Sequence, residues 1–295
     1  MKYNRLGNSD MEISRLSLGC VTFGREINRN ESYKIMDFAL AGGMNYFDTA
    51  EAYGKGASEQ VIGSWLKERG CRSRVYLGTK LLPPYTPEKI ISSCNDSLKR
   101  LQTSVIDLYQ LHAFHKTALL PETLETLEQL IMDGKIRYIG ISNFSDNQLR
   151  SFLKVQQEYH FNRISSIQNN HNLAIQNLGE ELLDYCRQES IGTISFSPLG
   201  AGFLTGKYKN QIPRGSRFDI QPGHRDLYFS DKAAEALRKL EREASQSGRT
   251  MVELALRWVI SNPEITTTLI GGRKISHINQ ALQVMKSSEK LPRRN

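Results

Sequence analysis

The chain has 295 residues, 39% apolar and 24% charged, with a formal charge of +8. Those proportions are those of a soluble globular protein, and the length suits one large barrel or two ordinary domains. No run approaches about 18 apolar residues, so no membrane span is expected.

The start, Met1-Lys2-Tyr3-Asn4-Arg5-Leu6-Gly7, lacks the apolar stretch and cleavage site of a secretory signal. Cys20, Cys71, Cys94 and Cys186 share no metal-type or redox-type spacing. Reduced thiols in a cytoplasmic compartment are therefore expected, and no metal site. The basic residues are scattered, with Lys290, Arg293 and Arg294 at the tail. No nucleic-acid motif accompanies them, so the positive charge is expected to serve small anionic ligands.

In chain order, Gly7-Asn8-Ser9-Asp10 separates two short segments, predicting a hairpin over residues 3–16. Leu16 to Gly19 reads as the first buried strand, and Glu31 to Leu40 as a helix. Gly43-Met44-Asn45-Tyr46 reads as a strand leading into Phe47-Asp48-Thr49, with Tyr53 just beyond. A helix over Glu59–Lys67 follows, then a strand from Arg74 that delivers Lys80 at its carboxyl end. Thr86 and Pro87 supply an N-cap and first-turn proline for a helix to about Leu101. Val105 to His112 is a further strand, delivering a histidine at the same end, and Pro121 to Met132 a helix. Ile136–Ser142, Ile164–Gln168, Gly192–Ser197 and Ile265–Ile270 read as the remaining strands.

The later helices are expected after the capping box of Ser145 with Gln148, and over Leu178–Arg187, Lys232–Ser245, Met251–Ile260 and Ser276–Met285. Thr250-x-x-Glu253 reads as a second capping box. Between Pro198 and Asp231 lies a stretch rich in Gly, Lys, Arg and Pro, too long for an ordinary connection. Eight such units predict an α/β fold: a single (β/α)₈ TIM barrel over residues 1–295, with an N-terminal β-hairpin and a long loop after strand 7. An open doubly wound sheet is the alternative, but it rarely needs eight units.

Two motifs mislead. Gly200-Ala201-Gly202 through Gly206 imitates a dinucleotide-binding loop, yet no helix opens at Gly206. Tyr76 and Lys80 imitate a Tyr/Lys pair that needs a helix to share one face, whereas this segment reads as a strand.

Asp48, Tyr53, Lys80 and His112 each sit at or just past a strand's carboxyl end, where barrels assemble their sites. A free tyrosine has a pKa of about 10, and a neighbouring ammonium such as Lys80 lowers it. Asp48 would hold the lysine, and His112 would donate to a carbonyl oxygen. The set reads as a preorganised acid for an oxygen gaining negative charge. It holds no nucleophile, so electrons are expected from a hydride-bearing cofactor.

The sequence here resembles the aldo-keto reductase superfamily over essentially its whole length. The matching stretches include Leu18–Gly24, Phe47–Ala50 with Tyr53-Gly54, and Gly78-Thr79-Lys80. They continue with Leu108–His112, Gly134–Phe144, Ser197–Gly200 and Gly271-Gly272-Arg273. The resemblance implies reversible reduction of an aldehyde or ketone, with Tyr53 as acid tuned by Lys80 and Asp48 and His112 orienting the carbonyl. It also implies NADPH across the barrel mouth. Ser142, Asn143 and Gln168 would hold its carboxamide, Phe196 would stack on the nicotinamide, and Ser197, Leu199 and Gly202 would face the pyrophosphate. Arg273 with Lys274 would meet the 2′-phosphate.

Where relatives grip the adenosine, this chain has His277, Gln280 and Ala281. Phe114 and His115 replace a commoner loop after His112 and, with Phe23, are expected at the substrate pocket, Tyr228 or Phe229 adding to its aromatic character. The expected partner is a small carbonyl compound, neither nucleic acid nor membrane; a monomer is compatible with the sequence. Two other readings suit such a barrel: a cofactor-binding regulatory or channel-associated subunit, against which the intact tetrad argues, and a phosphosugar lyase or epimerase.

Overall fold

Eight parallel strands close on themselves in the computed structural model, which describes residues 1–209 and 211–288. Lys290, Arg293 and Arg294 lie outside the described residues. The antiparallel hairpin pairs β1 (Tyr3–Arg5) with β2 (Glu12–Ser14). The barrel is built from β3 (Leu16–Gly19), β4 (Tyr46–Asp48), β5 (Tyr76–Leu81), β6 (Ile106–Leu111), β7 (Ile136–Ser142), β8 (Ser166–Asn170), β9 (Gly192–Phe196) and β10 (Thr267–Ile270). They pair in sequence order, and β10 returns to β3 to close the ring.

The helices are α1 (Arg29–Ala41), α2 (Ala57–Arg69), α3 (Pro87–Leu101), α4 (Pro121–Met132), α5 (Asp146–Glu158), α6 (Glu180–Gln188), α7 (Arg217–Ile220), α8 (Arg225–Tyr228), α9 (Asp231–Ser247), α10 (Met251–Ile260) and α11 (Ile275–Ser288). The fold predicted from sequence is the one observed. None of the described helices is long and apolar enough to cross a membrane.

Burial organises three cores. The largest lies between strands and helices, with Phe47 stacked on Trp65 at 5.4 Å. A second fills one part of the barrel interior, where Leu6, Met11 and Ile13 around the hairpin pack against Tyr46, Leu108, Ile194 and Leu269. A third belongs to the long loop. Short helical turns fold it around Phe203, Tyr208, Phe218 and Tyr228, with Tyr208 and Phe218 rings 4.5 Å apart. That segment thus carries its own packed apolar cluster. All four cysteines are buried and free.

Several boundaries moved for identifiable reasons. The second barrel strand is Tyr46–Asp48 and does not begin at Gly43, because Gly42 to Met44 still close α1. Gly43 there has φ of +88°, which no strand residue adopts. The Ser145/Gln148 capping box is present on both sides. At Thr250 only half of the box forms: Glu253 N–H donates to Thr250 Oγ1 at 3.1 Å. The Glu253 carboxylate instead meets Arg249 and Arg257.

Candidate active site at the barrel mouth

Asp48 ends β4 beside Gly78 of β5, and Lys80 lies two residues further along β5. Side chains two apart on a strand share a face, which delivers Lys80 toward Asp48. Both are buried, at 1% and 0% exposure. Lys80 Nζ donates to Asp48 Oδ1 and, at 2.8 Å, to the Thr49 carbonyl. Asp48 Oδ2 accepts from Tyr46 Oη at 3.1 Å, Gln110 Nε2 at 3.1 Å and Gln168 Nε2 at 2.9 Å. A buried ion pair persists only when its remaining lone pairs and protons are satisfied, and here they are.

Tyr53 follows β4 in a loop. The Lys80 ammonium lies 5.3 Å from its ring centroid, and the His112 ring meets it edge-on at 5.8 Å. Burial raises the Tyr53 pKa, Lys80 opposes this, and Asp48 adds to it; the net shift is upward. The expected lowering by Lys80 is therefore outweighed by desolvation, and the phenol keeps its proton. Burial lowers the Lys80 pKa, but Asp48 and Tyr53 more than offset it, so the ammonium stays charged. His112 is pushed down to about 4 by burial first and the Lys80 charge second. It is thus a neutral imidazole near pH 7, and its Nδ1 is buried without a partner. Its backbone is fixed by an N–H bond to Leu81 O at 3.0 Å and by Asn143 Nδ2 on its carbonyl at 2.9 Å.

Around the rim, Ser142 ends β7 and donates to the Gln168 carbonyl at 2.9 Å. Asn143 is exposed at φ +58°. Gln168 turns its Nε2 inward to Asp48 and, at 3.2 Å, to Gln110 Oε1. Phe196 ends β9 half-buried. The Ser197 carbonyl accepts from Asn172 Nδ2 at 2.9 Å, and the turn Gly200–Thr205 carries Gly202 after Leu199. Lys207 lies across Gly202: a Cβ there would come 2.7 Å from Lys207 Nζ.

Arg273 donates to the Gly215 carbonyl at 2.8 Å, tying the turn before α11 to the long loop. His277 Nδ1 accepts the Arg273 N–H at 3.3 Å. Burial lowers the His277 pKa, and Lys274, Lys207 and Arg273 lower it further. Lys274, Lys207 and Arg273 gather positive charge here, with no carboxylate among the influences on His277. On the neighbouring rim Glu26 takes both Arg25 and, at 3.0 Å, Arg217.

The residues expected near the substrate take several different positions. Phe23 is 0% exposed inside the main core, so it lines no pocket. His115 accepts from the Thr117 N–H at 3.3 Å and caps the short turn Lys116–Leu119. Phe114 packs edge-on against Phe144 at 5.3 Å. Tyr228 is buried, its hydroxyl bonded to Asn170 and Asn172, whereas Phe229 is exposed. Ala281 is fully buried against the core, while Gln280 is exposed.

The profile of the aldo/keto reductase family matches residues 15–293. The chain belongs to the aldo/keto reductase family. Membership makes it an oxidoreductase of carbonyl chemistry. It is 31% identical to the uncharacterized oxidoreductase YrpG of Bacillus subtilis, over 98% of this chain and 92% of that one. It is 30% identical to a probable voltage-gated potassium channel subunit beta of Oryza sativa, over 99% and 92%. Among solved structures, the glycerol dehydrogenase of Gluconobacter oxydans superposes with a TM-score of 0.77 at 26% identity, covering 98% of this chain and 93% of that one.

Sequence reasoning overlooked four residues of this aldo/keto reductase's mouth. Tyr46 and Gln110 lie two positions before Asp48 and His112, so strand alternation alone puts Tyr46 on the Asp48 face. Lys207 follows the misleading glycine stretch directly, and Arg217 sits in the long loop, where no periodicity locates a side chain.

Proposed function

We propose that this protein reduces an aldehyde or ketone with NADPH, residues 1–295 acting as one unit, with Tyr53 giving the carbonyl oxygen its proton. The observation that carries the reading is the Lys80 ammonium, wholly buried between Asp48 and the Tyr53 ring, with neutral His112 edge-on to the same ring. The phenol remains protonated, and the cation beneath it stabilises the charge left after transfer. His112 in its Nε2–H form donates to the same oxygen and orients it.

The residues present fit a dinucleotide phosphate. Lys207, Arg273 and Lys274 supply positive charge around His277, and Lys207 lies beside Gly202 on the turn after Leu199. Bound NADPH supplies the hydride. Ser142, Asn143 and Gln168 would hold its carboxamide, Phe196 would cover one nicotinamide face, and Ser197 would face the pyrophosphate. Arg273 and Lys274 would favour the 2′-phosphate through charge-assisted bonds. Phe114 and the exposed Phe229 would border the substrate.

NADPH oxidation with a panel of aromatic aldehydes, short aldehydes and keto-sugars tests this beside Tyr53→Phe. Turnover should fall on the order of 10²–10⁴-fold in the variant while NADPH still binds. Equal turnover in both proteins would sink the assignment of Tyr53. The rice relative, named as a channel subunit, supports a second reading in which bound cofactor acts as a sensor. Tight NADPH binding with no turnover on any substrate would favour it.

A further inference from the structure

We propose that Tyr46 is a positioning residue for the proton donor: it fixes the Asp48 carboxylate so that Lys80 stays aimed at Tyr53. The inference rests on the carbonyl-reductase reading of the site.

Tyr46 is 0% exposed, and its hydroxyl donates to Asp48 Oδ2 at 3.1 Å. It sits in a slot made by a missing side chain. A Cβ on Gly78, the residue paired with Asp48 on the neighbouring strand, would lie 2.0 Å from the Tyr46 hydroxyl oxygen. The phenol therefore has one place to go, unlike the two amides of Gln110 and Gln168, which also bond each other. Burial and the nearby Asp48 charge push the Tyr46 pKa well up, so it remains a donor at every working pH.

Lys80 has three N–H groups. One goes to Asp48 Oδ1 and one to the Thr49 carbonyl, leaving the third for the Tyr53 hydroxyl, with which Lys80 also interacts. Three neutral donors on Oδ2 reserve Oδ1 for the ammonium. Neutral donors suit this place, because a second cation would compete with Lys80 for the carboxylate. Were the carboxylate to rotate, Nζ would follow it, and the third N–H would leave Tyr53. The phenol would then lose the charge that opposes its desolvation.

The test compares wild type, Tyr46→Phe and Tyr53→Phe in both directions of the reaction. Phenylalanine keeps the ring in place and removes only the hydroxyl. Tyr46→Phe should lower kcat on the order of tenfold, as expected for one hydrogen bond to a charged group, with KM for NADPH unchanged. In alcohol oxidation, which needs the Tyr53 phenolate, the pH limb should move upward. A lower rate with an unmoved pH limb would mean a merely structural tyrosine and would overturn the inference. Wild-type behaviour in Tyr46→Phe, with Tyr53→Phe inactive, would overturn it while leaving the reductase reading intact. Turnover unaffected by Tyr53→Phe, or absent from wild type, would overturn both.

Discussion

His171 makes the stability of this barrel depend on pH in a way that a single substitution can isolate. It lies just past β8, 3% exposed, with its ring 5.0 Å from that of Trp258. Nδ1 accepts the Leu178 N–H at 3.3 Å, so the ring proton sits on Nε2, which is buried without a partner. Burial alone lowers its pKa from 6.5 to about 4. A depressed folded-state value means its contribution is fully present above pH 6.5 and is lost as pH falls toward 4, because the unfolded chain takes the proton first. Between pH 7.5 and pH 5 the loss comes to about 2 kcal/mol. His171→Gln removes the titration. Urea unfolding of both proteins at the two pH values gives the difference. Wild type should lose about 2 kcal/mol more than the variant over that interval, since His112 and every other group are common to both. The variant will be less stable at pH 7.5 through lost packing on Trp258, but the slope is the readout. Parallel losses in the two proteins would refute the argument that burial holds this ring neutral.

Two further outcomes follow from the mouth. Arg273→Ala and Lys207→Ala should each weaken NADPH binding about tenfold or more, as expected for a charge-assisted hydrogen bond. Fluorescence titration with NADH separates them: Arg273→Ala should leave NADH unchanged if it meets the 2′-phosphate, and equal weakening of both cofactors would remove that role. The pH dependence of reduction should show no transition near 6.5, because His112 titrates at about 4. Reduction should decline on the alkaline side as Tyr53, with its raised pKa, loses its proton, while alcohol oxidation rises. A rate transition centred on 6.5 would mean that His112 is far better solvated than its surroundings indicate.

Much of the fold was legible in the linear pattern. Strand β7 and helices α3, α4 and α10 fall where periodicity and capping put them, since local hydrophobic spacing and Thr86-Pro87 act over a few residues. The Asp48–Lys80 pairing was also foreseeable, because consecutive parallel strands in a barrel send their carboxyl ends to one mouth. The boundaries that failed, at Gly43 and Arg74, lie where a turn borrows residues from the neighbouring element. No local pattern reports that borrowing.

Hydrophobic spacing and caps close in the chain set the eight units and their order, and parallel strands in such a barrel then send the four polar residues to one mouth. Tertiary structure alone decided which side chains meet. Phe23 went to the core and His115 to a turn cap, while Gln168 turned inward to a carboxylate 120 positions away in the chain. It also reversed the sign of the Tyr53 shift. An ammonium in the sequence predicts a lower pKa, but how much water is excluded around a phenol depends on every element packed about it.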